Sequence, residues 1–313
     1  MSNILRRYKL PYTLYNFFHK KALVHNLKHY KKYGIDKTYY APISSEDFAD
    51  LESEPNTYDI KDSETELPKH ADFKTLDGKL QSELLPWSKN GYVILEHFFS
   101  EKEVDTVNSE IEDLLAKKRV AFSNGNRIMF ANKKSKLINA VGTNPKLFKV
   151  LNLLLDKEVE LFQSINFFEG SQQRAHSDSI HMTTFPYGNL IAAWIALEDI
   201  TIDSGPLHYY PGSHKLPYVL NKAYGNDGSK YTIGKKTYSE YEDYIGNLIE
   251  KNNLEKNIFL AKKGDVLIWH ANLLHGGEPV TNTESSRKSM VFHYYAKDAI
   301  CFHEITQRPT LKP

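Results

Sequence analysis

The chain has 313 residues, 41% of them hydrophobic, with 40 basic and 39 acidic side chains. That length allows one large domain or two modest ones, and the balanced charge gives no global argument for nucleic acid. A single cysteine, Cys301, excludes an intrachain disulfide and fits a reducing compartment. No apolar run reaches the roughly 18 residues of a membrane span. The first 30 residues are interrupted by Lys20, Lys21, His25 and Lys28, unlike a secretory signal. The expectation is a cytoplasmic protein.

From the N-terminus, residues 1–35 read as one or two helices and 36–70 as an extended, proline-punctuated connector. Charge is uneven here. Met1 to Lys37 holds nine Lys or Arg against one acid, Asp36, with Tyr8, Tyr12, Tyr15, Phe17 and Phe18 between them. Glu46 to Glu66 then holds nine acids against one base, Lys61. A basic, aromatic helix suits an anionic membrane surface or a protein partner. The plainer expectation is that it docks on the acidic stretch or the body of the fold. The domain proper is expected over 71–313, after a basic helical arm and acidic connector over 1–70.

Leu80–Lys89 reads as a helix and Tyr92–Leu95 as a strand. Ser100 with Glu103 forms a capping box that opens a helix to about Lys118, with Val104, Val107, Ile111, Leu114 and Leu115 on one face. A further helix is expected over Pro145–Leu155. Short β-rich runs follow at Val159–Phe168, Leu190–Leu197, Leu207–Tyr210, Ile258–Leu260, Asp265–Trp269 and Ser289–Tyr295, separated by Gly/Pro turns. One helical segment, about Tyr238 to Asn252, interrupts them inside a tyrosine-rich insertion at 218–255 that suits a lid. Helices first and many short strands after predict an α+β, mainly β protein, a barrel or double sheet with helices packed outside.

The chemistry centres on Gln173-Arg174-Ala175-His176-Ser177-Asp178. On extended backbone, side chains two apart share a face, so His176 and Asp178 can reach one ion. Two histidines and one carboxylate on one face of a metal leave positions open, the arrangement of non-haem iron(II) oxygenases. An H-x-D triplet alone is weak, and an exposed polar loop would look the same. The apolar stretch Gly264 to Gly277 offers two further histidines, His270 and His275, and Gly276-Gly277 follow where backbone and ligand crowd. Arg287 stands twelve residues past His275, and its fork suits the distal carboxylate of a 2-oxo diacid.

These residues carry a resemblance. Gln163-Ser164-Ile165-Asn166-Phe167, His176-Ser177-Asp178, Trp194 to Asp199, Ser204-Gly205-Pro206-Leu207, Pro211-Gly212-Ser213-His214 and His275-Gly276-Gly277 with Arg287 together resemble the phytanoyl-CoA dioxygenase family. The likeness covers roughly residues 80 to 300 and leaves out the N-terminal arm. It implies a double-stranded β-helix (jelly-roll, cupin-like) core, Fe(II) as metal, 2-oxoglutarate and O2 as co-substrates, and a small-molecule substrate. His176, Asp178 and His275 resemble the iron ligands, with His275 favoured over His270. Arg287 resembles the 2-oxoglutarate-binding arginine, and Trp194 and Gln163 resemble positions near that co-substrate. Two departures stand out. The turn Asn282–Ser286 carries one extra residue before Arg287, and Gly277 replaces a serine that helps bind the co-substrate carboxylate. Thr183 is the hydroxyl expected to take that role.

Asp178 also separates this chain from the related halogenases, which put a small residue there, so hydroxylation is expected. The substrate is specified by no motif, a sugar, lipid or secondary metabolite each being open; tyrosines 218, 224, 231, 238, 241 and 244 suit a polar, ring-bearing molecule such as a sugar and would serve a surface equally well. His181 reads as a pocket residue or a loop cap, His214 as a turn anchor, and Gln173 and Arg174 as substrate contacts or plain loop. Two rival classes are a cupin-like binding or isomerase protein without 2-oxoglutarate, and a non-catalytic protein held at a membrane by residues 1–37. Nothing in the sequence specifies an oligomeric state.

Overall fold

The structure, a computed structural model, describes residues 7–52, 54–123 and 126–312. The first six residues of the basic arm, Arg6 among them, lie outside the described residues. The arm forms α1 (Lys9–Phe18) and α2 (Asn26–Tyr33), closed by Gly34 in a left-handed conformation. Residues 36–70 correct the expectation of an extended connector. They form short helical turns, capped by Ser44, Asn56 and Asp62, and bury Ile43, Phe48, Tyr58 and Leu67. Proline spacing gave an extended reading because it says nothing of these caps, which satisfy the orphan N–H groups of one-turn helices.

The expected helix at 80–89 is broken by Pro86 into α3 (Gly78–Leu84) and a single turn at Trp87–Asn90. β1 (Tyr92–Leu95) follows, then α4 (Glu101–Ala116), where the Ser100–Glu103 capping box is present in full. Short β2 (Phe122–Ser123) and β3 (Arg127–Met129) precede α5 (Lys136–Gly142) and α6 (Pro145–Leu155). The remainder is β4 (Val159–Phe167), β5 (Thr183–Phe185), β6 (Leu190–Ala196), β7 (Leu207–Tyr209), α7 (Tyr238–Lys251), β8 (Asn257–Phe259), β9 (Val266–His270), β10 (His275–Gly277), β11 (Ser289–Ala296), β12 (Ile300–His303) and β13 (Arg308–Pro309).

Seven strands form an antiparallel sheet in the order β1-β9-β6-β11-β4-β3-β2, and two three-stranded sheets, β10-β7-β8 and β13-β12-β5, complete the jelly roll. Period-two alternation sorts the large sheet's side chains. Ile191, Ala193, Ile195, Ile268, Phe292 and Tyr294 join the core under α4, α5 and α6. Ala192, Trp194, Leu267, Trp269 and Val291 turn the other way, toward Leu207, Tyr209 and Phe259 of the small sheet. That inner face holds the cavity. The insertion packs separately, through Tyr241 and Ile245 of α7 against Ile180, Tyr210 and Leu274. The arm is seated by Tyr30, which shares a cluster with Phe48, Phe185, Ile300 and Phe302. No helix among the described residues is long and apolar enough to cross a membrane.

Candidate metal centre

His176 and His275 sit opposite each other in a two-residue antiparallel bridge, each backbone N–H donating to the other's carbonyl at 2.9 Å. Both Nδ1 atoms lie 3.0 Å from a local carbonyl, of Arg174 and Leu273 respectively. Those bonds hold each ring as the tautomer whose Nε2 faces the cavity with a free lone pair. Asp178 follows on the next inward position, and the three ligand atoms lie within 4.8 Å of one another, all from buried residues. Burial, with His275 beside it, pushes the His176 imidazole well below its ordinary value, so it stands neutral. Burial alone would raise the Asp178 carboxyl; the surrounding His275, His293 and His176 rings outweigh it and hold it below the usual carboxylate range.

Two residues that sequence reasoning missed fix that carboxylate. The Trp269 indole N–H donates to Asp178 Oδ2 at 2.7 Å, and His293 Nε2 lies 3.6 Å from the same oxygen. A signal existed for both. Counting in twos from Arg287 reaches 289, 291 and 293 on one strand face, and β9 alternates so that Trp269, not His270, faces inward. His270 points the other way, its Nε2 3.3 Å from Asp59. The glycines after His275 are crowded: a Cβ on Gly276 would stand 2.6 Å from the Gln173 carbonyl and 2.7 Å from His208 Nε2.

A cavity of about 420 Å³ opens on this cluster. Arg287 reaches it from beyond an exposed turn closed by the Ser285 N–H on the Asn282 carbonyl at 3.1 Å, which accommodates the extra residue. Its guanidinium lies over Phe167 and Trp194, 5.4 and 5.8 Å from the ring centroids, and donates to Ser289 Oγ at 3.1 Å. It is 2% exposed, its Nε has no partner, and no carboxylate among the described residues pairs with it. Burial, then nearby Arg127, lowers it to about 10. A buried guanidinium left without an anion is costly, so the site is incomplete without an acidic ligand. Gln163 and Trp194 line the same cavity, as do Arg127 and Ser171.

Thr183 does not line it. Its hydroxyl donates to the Ser179 carbonyl on the far side of the metal loop, a local bond that composition could not reveal. Ser171 stands closer to the vacated position: a Cβ on Gly277 would lie 2.5 Å from its Oγ. Nor do the six insertion tyrosines line the cavity. Tyr241 accepts from the Ser177 N–H at 3.1 Å, and Tyr238 stacks near His181, 4.9 Å between centroids, while accepting from Gln173 Nε2 at 3.0 Å. His181 lines the cavity, burial and then His303 lowering it to about 3. His214 Nε2 lies 3.2 Å from the Ser88 carbonyl, outside the cavity. Arg174 turns to Asp243 of α7 at 2.7 Å.

A jelly roll with a two-histidine, one-carboxylate cluster and a cavity arginine defines the class of 2-oxoglutarate-dependent non-haem iron oxygenases. The donor set fits iron(II), and the unpartnered Arg287 fits 2-oxoglutarate; O2 completes the set that this class uses. The family model for phytanoyl-CoA dioxygenase (PhyH) matches residues 87–289, and the chain belongs to that family. It is 27% identical over 165 residues to phytanoyl-CoA dioxygenase domain-containing protein 1 of Danio rerio, covering 50% of this chain and 52% of that one. The chain thus spans about half the length of that relative. Ectoine dioxygenase of Bordetella bronchiseptica is 23% identical over 72% of this chain and 78% of its own. Among solved structures, the carbocyclase SnoK from nogalamycin biosynthesis matches with TM-score 0.59 at 19% identity, over 73% of this chain and 87% of its own. EctD from S. alaskensis, solved with 2-oxoglutarate and 5-hydroxyectoine, matches with TM-score 0.56 at 21% identity, over 79% and 84%. At those identities the structural likeness speaks for the fold alone.

Proposed function

We propose that the protein hydroxylates an unactivated C–H bond of a small molecule, with 2-oxoglutarate as co-substrate and succinate and CO2 as by-products. The observation that carries this reading is the His176–Asp178–His275 cluster sharing one cavity with a buried, anion-free Arg287. When bound, iron(II) would activate O2, the oxidant; 2-oxoglutarate would supply two electrons on decarboxylation to succinate and the C–H bond the other two, so that one oxygen atom enters succinate and the other the product. The chain supplies placement. His176, Asp178 and His275 hold the metal, and Trp269 and His293 keep the carboxylate oriented. Arg287 and Ser289 take the distal carboxylate of 2-oxoglutarate, with Gln163 and Trp194 along its length. The chain's remaining cavity wall, from His181 and Gln173 to Arg127, positions substrate and limits water, and thereby decides which carbon is presented.

Solved structures of similar fold include a carbocyclase and an epimerase, so the fold by itself does not specify hydroxylation. Asp178 supports hydroxylation over halogenation because the carboxylate fills the position a halide would need. A cupin-like reading without 2-oxoglutarate leaves Arg287 buried with only the more distant charge of Glu198 to offset it among the described residues. Anaerobic titration of iron(II) and 2-oxoglutarate into apo protein tests the proposal. A weak visible charge-transfer band should require both additions and be absent in Asp178→Ala. A band that forms without 2-oxoglutarate, or that survives Asp178→Ala, sinks it.

A further inference from the structure

The N-terminal arm wears its polarity inside out. The side chains it tucks against the body include Asn16, Asn26 and His29 beside Leu23 and Tyr30. Facing solvent instead are Leu10 (64% exposed), Leu14 (51%), Phe18 (77%), Val24 (48%) and Leu27 (47%). Leu10, Leu14 and Phe18 are four apart, so they form one stripe along α1. The inner contacts hold this orientation: Asn16 Nδ2 donates to the Tyr40 carbonyl at 3.0 Å, and Phe17 meets the Tyr40 ring at 5.6 Å. A stripe this apolar is not left in water without a reason.

Lysines flank it. Lys20, Lys21, Lys28, Lys31 and Lys32 are exposed, and no acid occurs between Arg7 and Ile35. The acidic stretch does not neutralise them. Among the described residues, the ion pair between the two segments is Lys37–Asp47 at 2.7 Å, beyond the last helix of the arm. The Lys9 N–H also donates to the Tyr231 carbonyl, and the Ile233 N–H to the Arg7 carbonyl, both at 2.9 Å. The loop leading into α7 therefore shares this surface, with Tyr231 70% exposed.

We infer that residues 8–32 form a docking surface for an anionic lipid bilayer. The apolar stripe enters the headgroup–acyl boundary while the lysines extend their ammonium groups to lipid phosphates. Charge decides against the other occupants. A second copy of the chain would set lysines against lysines. A nucleic acid would meet the lysines and leave Leu10, Leu14, Val24 and Leu27 without apolar contact. The inference stands independently of the metal centre.

The test is sedimentation of the full chain with phosphatidylcholine vesicles, with and without phosphatidylglycerol. Binding should need phosphatidylglycerol and weaken as salt shortens the Debye length. Leu14→Ser/Phe18→Ser and Lys20→Glu/Lys21→Glu should each cut partitioning on the order of tenfold or more, at an unchanged thermal midpoint. Three results overturn the inference. They are absence of binding to either vesicle, equal binding by both variants and wild type, and vesicle-independent self-association abolished by Leu14→Ser/Phe18→Ser.

Discussion

The cavity and the N-terminal arm break the ordinary partition of side chains in opposite directions. The cavity buries what water normally keeps: Asp178 at 4% exposure and Arg287 at 2%. The arm exposes what the core normally takes, down to Phe18. In each place no paired countercharge is found among the described residues, neither a carboxylate on Arg287 nor an acid on the lysines beside Phe18. Elsewhere on the surface, opposite charges meet in pairs such as Lys263–Asp105 at 2.6 Å and Lys288–Glu112 at 3.1 Å. Local rules are broken where a molecule meets something else, and here the two breaks call for different chemistry, a small dianion and an extended anionic surface.

That contrast can be broken most sharply at Arg287. Arg287→Met should weaken 2-oxoglutarate binding roughly 30-fold or more, since a charge-assisted pair is lost. The same change should raise the melting temperature of the apo protein, because it removes an uncompensated buried charge. Calorimetric binding and thermal melts read both; a variant that melts lower and binds normally would mean Arg287 is structural. Leu14→Ser, by comparison, should leave both quantities untouched.

Trp269→Phe keeps the ring and deletes the donor to Asp178. Iron(II) affinity, measured by competition with a coloured chelator, should fall about 10–100-fold. Unchanged affinity would leave His293 as the residue that orients the carboxylate.

The smallest effect compares the regions through pH. Burial, then Lys28, lowers His29 of the arm to about 4, and burial, then Arg308, lowers His303 at the cavity to about 4, against 6.5 for the free side chain. Each folded-state value is depressed, so the unfolded chain binds more protons between those limits. Stability should therefore fall as pH drops from about 6.5 to about 4, each histidine contributing part of the slope. Urea melts of His29→Asn and His303→Asn should each flatten part of that slope. A slope unchanged in both would assign the acid sensitivity to other groups.

Much was legible in the linear chain because its signals are local. The capping box at Ser100 and Glu103, the alternation along 289–295 and the H-x-D spacing each depend on neighbours within a few residues. Those rules placed most strands within a residue or two of where they fold, and they put His176 and Asp178 on one face. The ordered motifs added His275 and Arg287. Thr183 went astray because a hydroxyl's availability depends on its partner, and the Ser179 carbonyl takes it.

What only the tertiary structure decided are relations between distant segments. Trp269 bonds Asp178 across 91 residues, and no periodicity encodes which strand edge meets which loop. The sequence showed an arginine suited to a carboxylate; that none of the described side chains pairs with it follows only once the cavity has closed around it. It also showed a basic, aromatic arm over 1–35 read as one or two helices; the structure then put Leu10, Leu14 and Phe18 on one face of Lys9–Phe18. A hydrophobic stripe fixes that such a face exists, but packing of Asn16, Leu23 and Tyr30 against the body sets which way it points, and here it points out.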